Sequence, residues 1–413
     1  MINSRKAFWR RVRIPAELVA KRKHADVVVV GGGCMGASVA WHLATRGADV
    51  VLLEKGHLGG GQTGHSGALV RRHYEHPVGI RLAHESLRFF ETFRARTGHE
   101  AGFVRTGFTT GAREADVPAL RKLVELQREN HVAADYVDPR RLKELEPGMR
   151  VDDLALGVYD ERAGYADPVA TTLGFAHAAT EAGAEIHEGV EVRRVALAKG
   201  RVAGVAGKRA EIRADKVVVA AGYGAQALAA TAKVRLPIRY VRGEVAILRR
   251  TPDFGPPPRL HFDAYHNTYS RPDGQRDTLV GYLHTNLRTA KAKPSPFDGT
   301  LREPTAKDLR DRLAARFPGL RRAQLRGGWA GLYDVTPDRY PILGPCDAPG
   351  LFLAVGFSGH GFKLSPAVGR LIAQSALEGE PDPIVRDLAL RRFALRRRIE
   401  PVAPFPARGE RLP

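Results

Sequence analysis

Residues 25–55 read ADVVVVGGGCMGASVAWHLATRGADVVLLEK. Val27 to Val30 form an uninterrupted β-branched run, the pattern of a parallel strand buried on both faces. Ala37, Ala40, Leu43 and Ala44 then recur at helical spacing, Gly47 ends the helix, and Val50 to Leu53 make a second strand. Gly31, Gly33 and Gly36 stand at GxGxxG spacing inside this strand–helix–strand unit. The first glycine allows a tight turn, the second lets a diphosphate approach the backbone, and the third lets helix pack on strand. The helix then offers unpaired N–H groups and the positive end of its dipole to the phosphates. Glu54 closes the second strand, where a carboxylate accepts hydrogen bonds from ribose hydroxyls and repels a 2′-phosphate. The unit therefore predicts a dinucleotide site, with NADP disfavoured and NAD and FAD both open.

A second bare turn, GFSGHGFKLS at 356–365, follows an apolar strand near the other end of the chain. Ser365 is suited to an N-cap and Pro366 to a first helical position, which predicts a helix over 366–377. Two glycine turns so far apart suit one long ligand gripped at both ends. Between them lies the glycine- and hydroxyl-rich loop GGGQTGHSGALVRRHYEH (59–76), then a long amphipathic helix around Leu82, Leu87, Phe90 and Phe93. Residues 184–225 read as short strands with turns, returning to the apolar strand Val217 to Val219 and the close approach Ala220-Ala221-Gly222. An NAD enzyme with two repeated halves would instead repeat the βαβ pattern.

The GxGxxG unit with Glu54, TGHSGALVRRHY (63–74), VVVAAG (217–222), WAGLYDVTPDRYPILG (329–344) and FLAVGFSGHGFKLSPAVGRLIA (352–373) together resemble the D-amino-acid-oxidase and sarcosine-oxidase family of FAD enzymes, over roughly residues 25–385. The resemblance implies an α/β fold: a discontinuous Rossmann-type FAD-binding domain and an antiparallel-sheet α+β substrate domain that roofs the flavin. The expected division is a basic tail 1–24, an FAD domain of 25–88, 150–235 and 326–385, a substrate domain of 89–149 and 236–325, and a basic tail 386–413. Strand-like runs FVRTGFTT, IRYVRGEVAILR, NTYSRP and TLVGYL agree with it.

The resemblance assigns FAD to Gly31, Gly33, Cys34, Met35 and Gly36, to Glu54 and Lys55, to Gly61, Thr63, His65 and Ser66, and to Val192, Ala221 and Gly222. It also assigns Gly359, His360, Gly361, Phe362 and Lys363 of the late turn. Family members oxidise amines by hydride transfer to flavin N5, followed by imine hydrolysis. Arg71 and Lys363 match the pair that holds a substrate carboxylate, and Arg offers it a bidentate fork. His360 is read as a proton-transfer or structural histidine, Arg271 as facing substrate, and Tyr269 and Tyr282 as lining the roof. Gly331 stands where monomeric sarcosine oxidases carry a flavin-tethering cysteine, and His65 falls near the histidine tether of dimethylglycine-oxidising relatives. Leu279 matches a lysine that activates O₂, so a dehydrogenase using a quinone or protein acceptor is expected over an oxidase. A complex-forming or assembly flavoprotein is the alternative from another class.

Composition narrows the rest. With 65 Lys and Arg against 45 Asp and Glu, the formal charge is +20. Arginine outnumbers lysine more than threefold and no nucleic-acid motif accompanies it, so codon bias is the reading, and no specific nucleic-acid partner is expected. Basic ends leave contact with an anionic membrane surface or a partner subunit open. Two cysteines, Cys34 and Cys346, exclude a disulfide scaffold and point to a reducing, cytoplasmic setting. No HExxH motif, histidine cluster or GxSxG elbow suggests a metal enzyme or a hydrolase.

Overall fold

The computed structural model describes residues 23–208, 210–284, 291–294 and 296–406. Most of the expected N-terminal tail lies outside them. Among the described residues, Val27–Val30 lies inside a six-stranded sheet of order Ile342–Pro345, Leu351–Val355, Lys216–Val219, Val27–Val30, Val50–Leu53, Glu185–His187. Its pairs are parallel except that of Ile342–Pro345 with Leu351–Val355 at one edge.

Alternation explains why the valine run is apolar throughout. Val27, Val29, Val50 and Leu52 enter one core with the helices Cys34–Ala44, Pro168–Glu181 and Gly361–Glu378. Val28, Val30, Val51 and Leu53 enter a second core with the antiparallel meander Val192–Ala198, Arg201–Gly207, Glu211–Arg213. Gly36 makes the first turn possible, since a Cβ there would fall on the Gly31 carbonyl oxygen.

The late helix departs from its local signals. It spans Gly361–Glu378 with His360 as N-cap, so Ser365 and Pro366 lie inside it and not at its start. Proline inside a helix removes one hydrogen bond and crowds the preceding turn. Contacts to the first helix offset this: Ser38 Oγ donates to the Ser365 carbonyl at 2.8 Å, and His42 Nε2 lies 3.2 Å from the Pro366 carbonyl. Gly369 permits the approach, because a Cβ there would overlap Ser38 Oγ.

A second sheet, eight-stranded among the described residues, runs Gln324–Val335, Arg239–Arg249, Asp277–Tyr282, Thr268–Asp273, Leu260–Asp263, Phe108–Ala112, Leu156–Asp160, Asp135–Val137. It is antiparallel apart from the parallel pair of Leu260–Asp263 with Phe108–Ala112. Two of its strands cross the expected domain boundaries. Leu156–Asp160 and residues 326–335 of Gln324–Val335 fall within the expected FAD-binding part, yet both strands are hydrogen-bonded into this sheet. The reason is pairing: Arg239–Arg249 is long, and Gln324–Val335 satisfies its backbone along its whole length.

Residues 386–406 are not a free tail. Arg392 is buried in an ion pair with Asp338, at 2.8 Å from Nε and 2.9 Å from Nη2, and Ala403 is buried in the main core. The basic composition is thus partly consumed by internal pairing. No helix among the described residues is long and apolar enough to cross a membrane.

Candidate active site

Both glycine turns open on one cavity of about 680 Å³ beneath the eight-stranded sheet. Gly31, Gly33, Cys34 and Met35 line it from the first turn, and Gly359, His360, Gly361, Phe362 and Lys363 from the last. Neither helix that begins there, Cys34–Ala44 or Gly361–Glu378, is capped by the side chain of its own N-cap residue, and of the first-turn amides Cys34 N is taken by Thr63 Oγ1.

At the first end Glu54 is held by two backbone amides, accepting from Gly32 N and Gly56 N at 2.7 Å each. Lys55 lines the same end with its ammonium 4.6 Å from the Tyr223 ring centroid. Thr63 Oγ1 accepts from Cys34 N at 3.2 Å, tying the loop containing Gly61, His65 and Ser66 to the helix start. Burial pushes the Cys34 thiol up, so it packs as a neutral group. Ala221 and Gly222 close the opposite wall.

At the far end Arg71 and Lys363 are both buried. The adjacent Arg72 pairs with buried Asp160 instead. Arg71 donates to the His73 carbonyl, stacks on Tyr74 and Phe262, and leaves Nε buried without a partner among the described residues. Burial, then the Arg71 charge, holds the Lys363 ammonium well below its usual range. The His360 ring is likewise held well down, by burial first and then by Lys363 and Arg71. Its Nδ1 lies 3.4 Å from the Tyr74 hydroxyl, whose own proton burial retains to about pH 12. The turn is anchored at its start: Asp334 Oδ2 accepts from Gly356 N at 2.9 Å, and burial raises that carboxyl to about 6.

Several expected residues sit elsewhere. Arg271 does not line the cavity. Its Nε donates to the Gly67 carbonyl at 2.7 Å, its Nη1 pairs with Asp273 at 2.9 Å, and it stacks on Tyr165, so it braces the 66–68 loop. Val192 opens a meander strand and packs in the second core, away from the cavity. Gly36 serves helix packing and is also outside the lining. Leu279 is fully buried opposite Arg271, not at the cavity wall. Tyr269 does line the cavity, and Tyr282 borders it while its hydroxyl donates to Asp308 at 2.6 Å. His65 and Gly331 are neighbours: a Cβ at Gly331 would stand 3.0 Å from that of His65. His65 Nδ1 is engaged with the Gly61 carbonyl at 2.9 Å.

Sequence reasoning missed Tyr74, Glu75, Phe262, Arg339, Tyr340 and Phe405, all in the lining. Tyr74 was within reach, because it ends the same loop motif as Arg71. Arg339 carries a φ of 63°, a left-handed conformation that arginine rarely adopts outside constrained sites.

An extended anionic dinucleotide fits these residues: helix N-termini at both extremities, a glycine-lined approach, a fixed carboxylate at one end, and buried cations at the other. The comparisons agree. A family model described as FAD dependent oxidoreductase (DAO) matches residues 26–375, and the chain belongs to that family of FAD-dependent flavoproteins. It is similar to the sarcosine oxidase subunit beta of Arthrobacter sp, 27% identical over 383 residues covering 90% of this chain and 92% of that one. It is also similar to the mitochondrial pyruvate dehydrogenase phosphatase regulatory subunit of Mus musculus, 28% identical over 414 residues, 94% of this chain but 46% of the relative. The chain thus spans under half the length of that protein. Among solved structures, L-proline dehydrogenase from P.horikoshii superposes with a TM-score of 0.84 at 25% identity, covering 92% of this chain and 100% of that one.

Proposed function

We propose that this chain oxidises a carboxylate-bearing amine, a secondary or N-methylated α-amino acid of the sarcosine or dimethylglycine kind. One observation carries the reading: Arg71 and Lys363 are buried on the same tyrosine ring, and neither makes an ion pair among the described residues. Two desolvated cations without an ion-pair partner among the described residues are costly, and a bound carboxylate lowers the cost. The same positive field lowers the pKa of a substrate ammonium, delivering the neutral amine from which hydride departs. FAD, when bound, supplies the hydride acceptor. Phe262 and Tyr269 wall the site, fixing orientation and keeping water out.

An anaerobic screen of amines and amino acids, following bleaching of the flavin absorbance, tests this; bleaching by carboxylate-bearing amines and not by their decarboxylated counterparts is the expected result. A dehydrogenase is the form proposed, on the sequence resemblance alone: Leu279 is buried off the cavity wall, and its lack of charge does not decide O₂ reactivity. Stopped-flow reoxidation in air as fast as that of an efficient oxidase would overturn that part. A complex-forming subunit is the second reading, favoured by the likeness to a regulatory subunit. Flavin that no amine bleaches would select it.

A further inference from the structure

The family match ends at residue 375, but the polypeptide returns to the cavity after it. Two carboxylates fasten the returning segment. Asp338 holds it first, paired with Arg392 and accepting from Ile399 N at 3.1 Å. Glu75 holds it next: its carbonyl accepts from Val402 N at 2.8 Å, and its Oε1 accepts from Phe405 N at 3.0 Å. Glu75 directly follows Tyr74, the ring beneath Arg71 and Lys363. Pro401 and Phe405 consequently face the same cavity as those cations, and Phe405 is also packed from behind by core side chains.

We propose that residues 399–405 are the outer wall of the substrate chamber, with Phe405 and Pro401 as specificity-determining residues that confine it to compact carboxylates, and Glu75 as the positioning residue that fastens the wall. This rests on the reading of Arg71 and Lys363 as the carboxylate anchor. A wall with little regular secondary structure of its own depends on such fastenings, because each backbone hydrogen bond to a carboxylate replaces order that a sheet would otherwise provide. Removing the phenyl ring extends the chamber outward without touching the anchor, and removing its fastening does so while also taking away the Glu75 charge near Arg71.

The test uses the FAD-loaded full chain, with acetate, benzoate and 4-phenylbutanoate as probes, titrated against the flavin absorbance. Unaltered protein is expected to bind acetate and benzoate and to exclude 4-phenylbutanoate. Phe405→Ala, and a chain ended after residue 398, should improve 4-phenylbutanoate binding relative to acetate by tenfold or more. Glu75→Ala should shift the ranking the same way, and Glu75→Gln, which keeps an acceptor for Phe405 N, should restore it. Should the shortened chain fail to fold, Phe405→Ala decides. An unchanged ranking in Phe405→Ala, or unaltered protein that takes 4-phenylbutanoate as readily as acetate, overturns the wall while leaving the anchor standing. If no carboxylate perturbs the flavin of the unaltered protein, the anchor fails and the wall with it.

Discussion

Arg71 and Lys363 share one aromatic ring: the guanidinium carbon lies 4.8 Å and the ammonium nitrogen 5.6 Å from the centroid of the Tyr74 ring. The face of an aromatic ring is the one weakly negative surface an apolar wall can offer two cations. The pair is thereby held ready for an anion with no ion-paired carboxylate, among the described residues, that substrate would have to displace.

Replacing either cation should weaken acetate binding. Arg71→Ala and Lys363→Ala are each expected to raise the acetate dissociation constant roughly 10- to 100-fold, about 1.5–3 kcal/mol for a charge-assisted contact. Arg71→Lys should recover only part of the loss, because an ammonium lacks the planar fork. Constants within twofold of the unaltered protein would remove the anchor from the argument.

The first turn should tolerate side chains very unevenly. Gly36→Ala puts a methyl on the Gly31 carbonyl oxygen, whereas a Cβ at Gly61 meets nothing within 4 Å. Thermal unfolding should show Gly36→Ala destabilised by about 3 kcal/mol or more and Gly61→Ala changed by about 0.5 kcal/mol or less. Equal losses would mean that the close helix–strand approach is not what the third glycine serves.

Glu146 predicts a pH dependence of stability. It is buried, accepts from Arg259 N at 3.0 Å and Thr109 Oγ1 at 3.3 Å, and burial raises its carboxyl from 4.5 to about 7. The folded protein therefore keeps a proton that the unfolded chain has released between those values, so its contribution to stability falls as pH rises through that window. The difference in urea unfolding free energy between Glu146→Gln and the unaltered protein should move in favour of the variant from pH 4.5 to 8, by on the order of 3 kcal/mol. A difference that stays constant with pH would contradict this.

His65 should leave FAD unattached. Its Nδ1 is committed to the Gly61 carbonyl, and Gly331 offers no sulfur beside it. Acid precipitation should give a colourless pellet under a yellow supernatant, identically for His65→Ala. A yellow pellet that turns colourless only in the variant would show a histidine tether.

The parts of this fold that were legible in sequence are those in which backbone geometry leaves few choices. Glycine spacing and an all-valine strand are dictated by close approach and two-sided burial, and both are found as read. Arg71 and Lys363 were visible through their motifs, and the structure brings them to one cavity. Arg271 was misread because alternation puts it on the same face as Tyr269, while the 66–68 loop intercepts its side chain through the Gly67 carbonyl. Pro366 was misread because capping rules are local, and Ser38 and His42 reach its helix from the far end of the chain. The Phe405 wall carries no sequence signal, since its fastenings are main-chain amides that almost any residue supplies.

The bond from Ser38 to the Ser365 carbonyl has a consequence for biosynthesis. The first helix leaves the ribosome early, but its packing partner emerges only after more than three hundred further residues, and until then the nucleotide's two grips do not coexist. Loading with FAD is accordingly a late event, and nascent chains starved of the vitamin precursor should accumulate with the amino-terminal unit exposed to proteases.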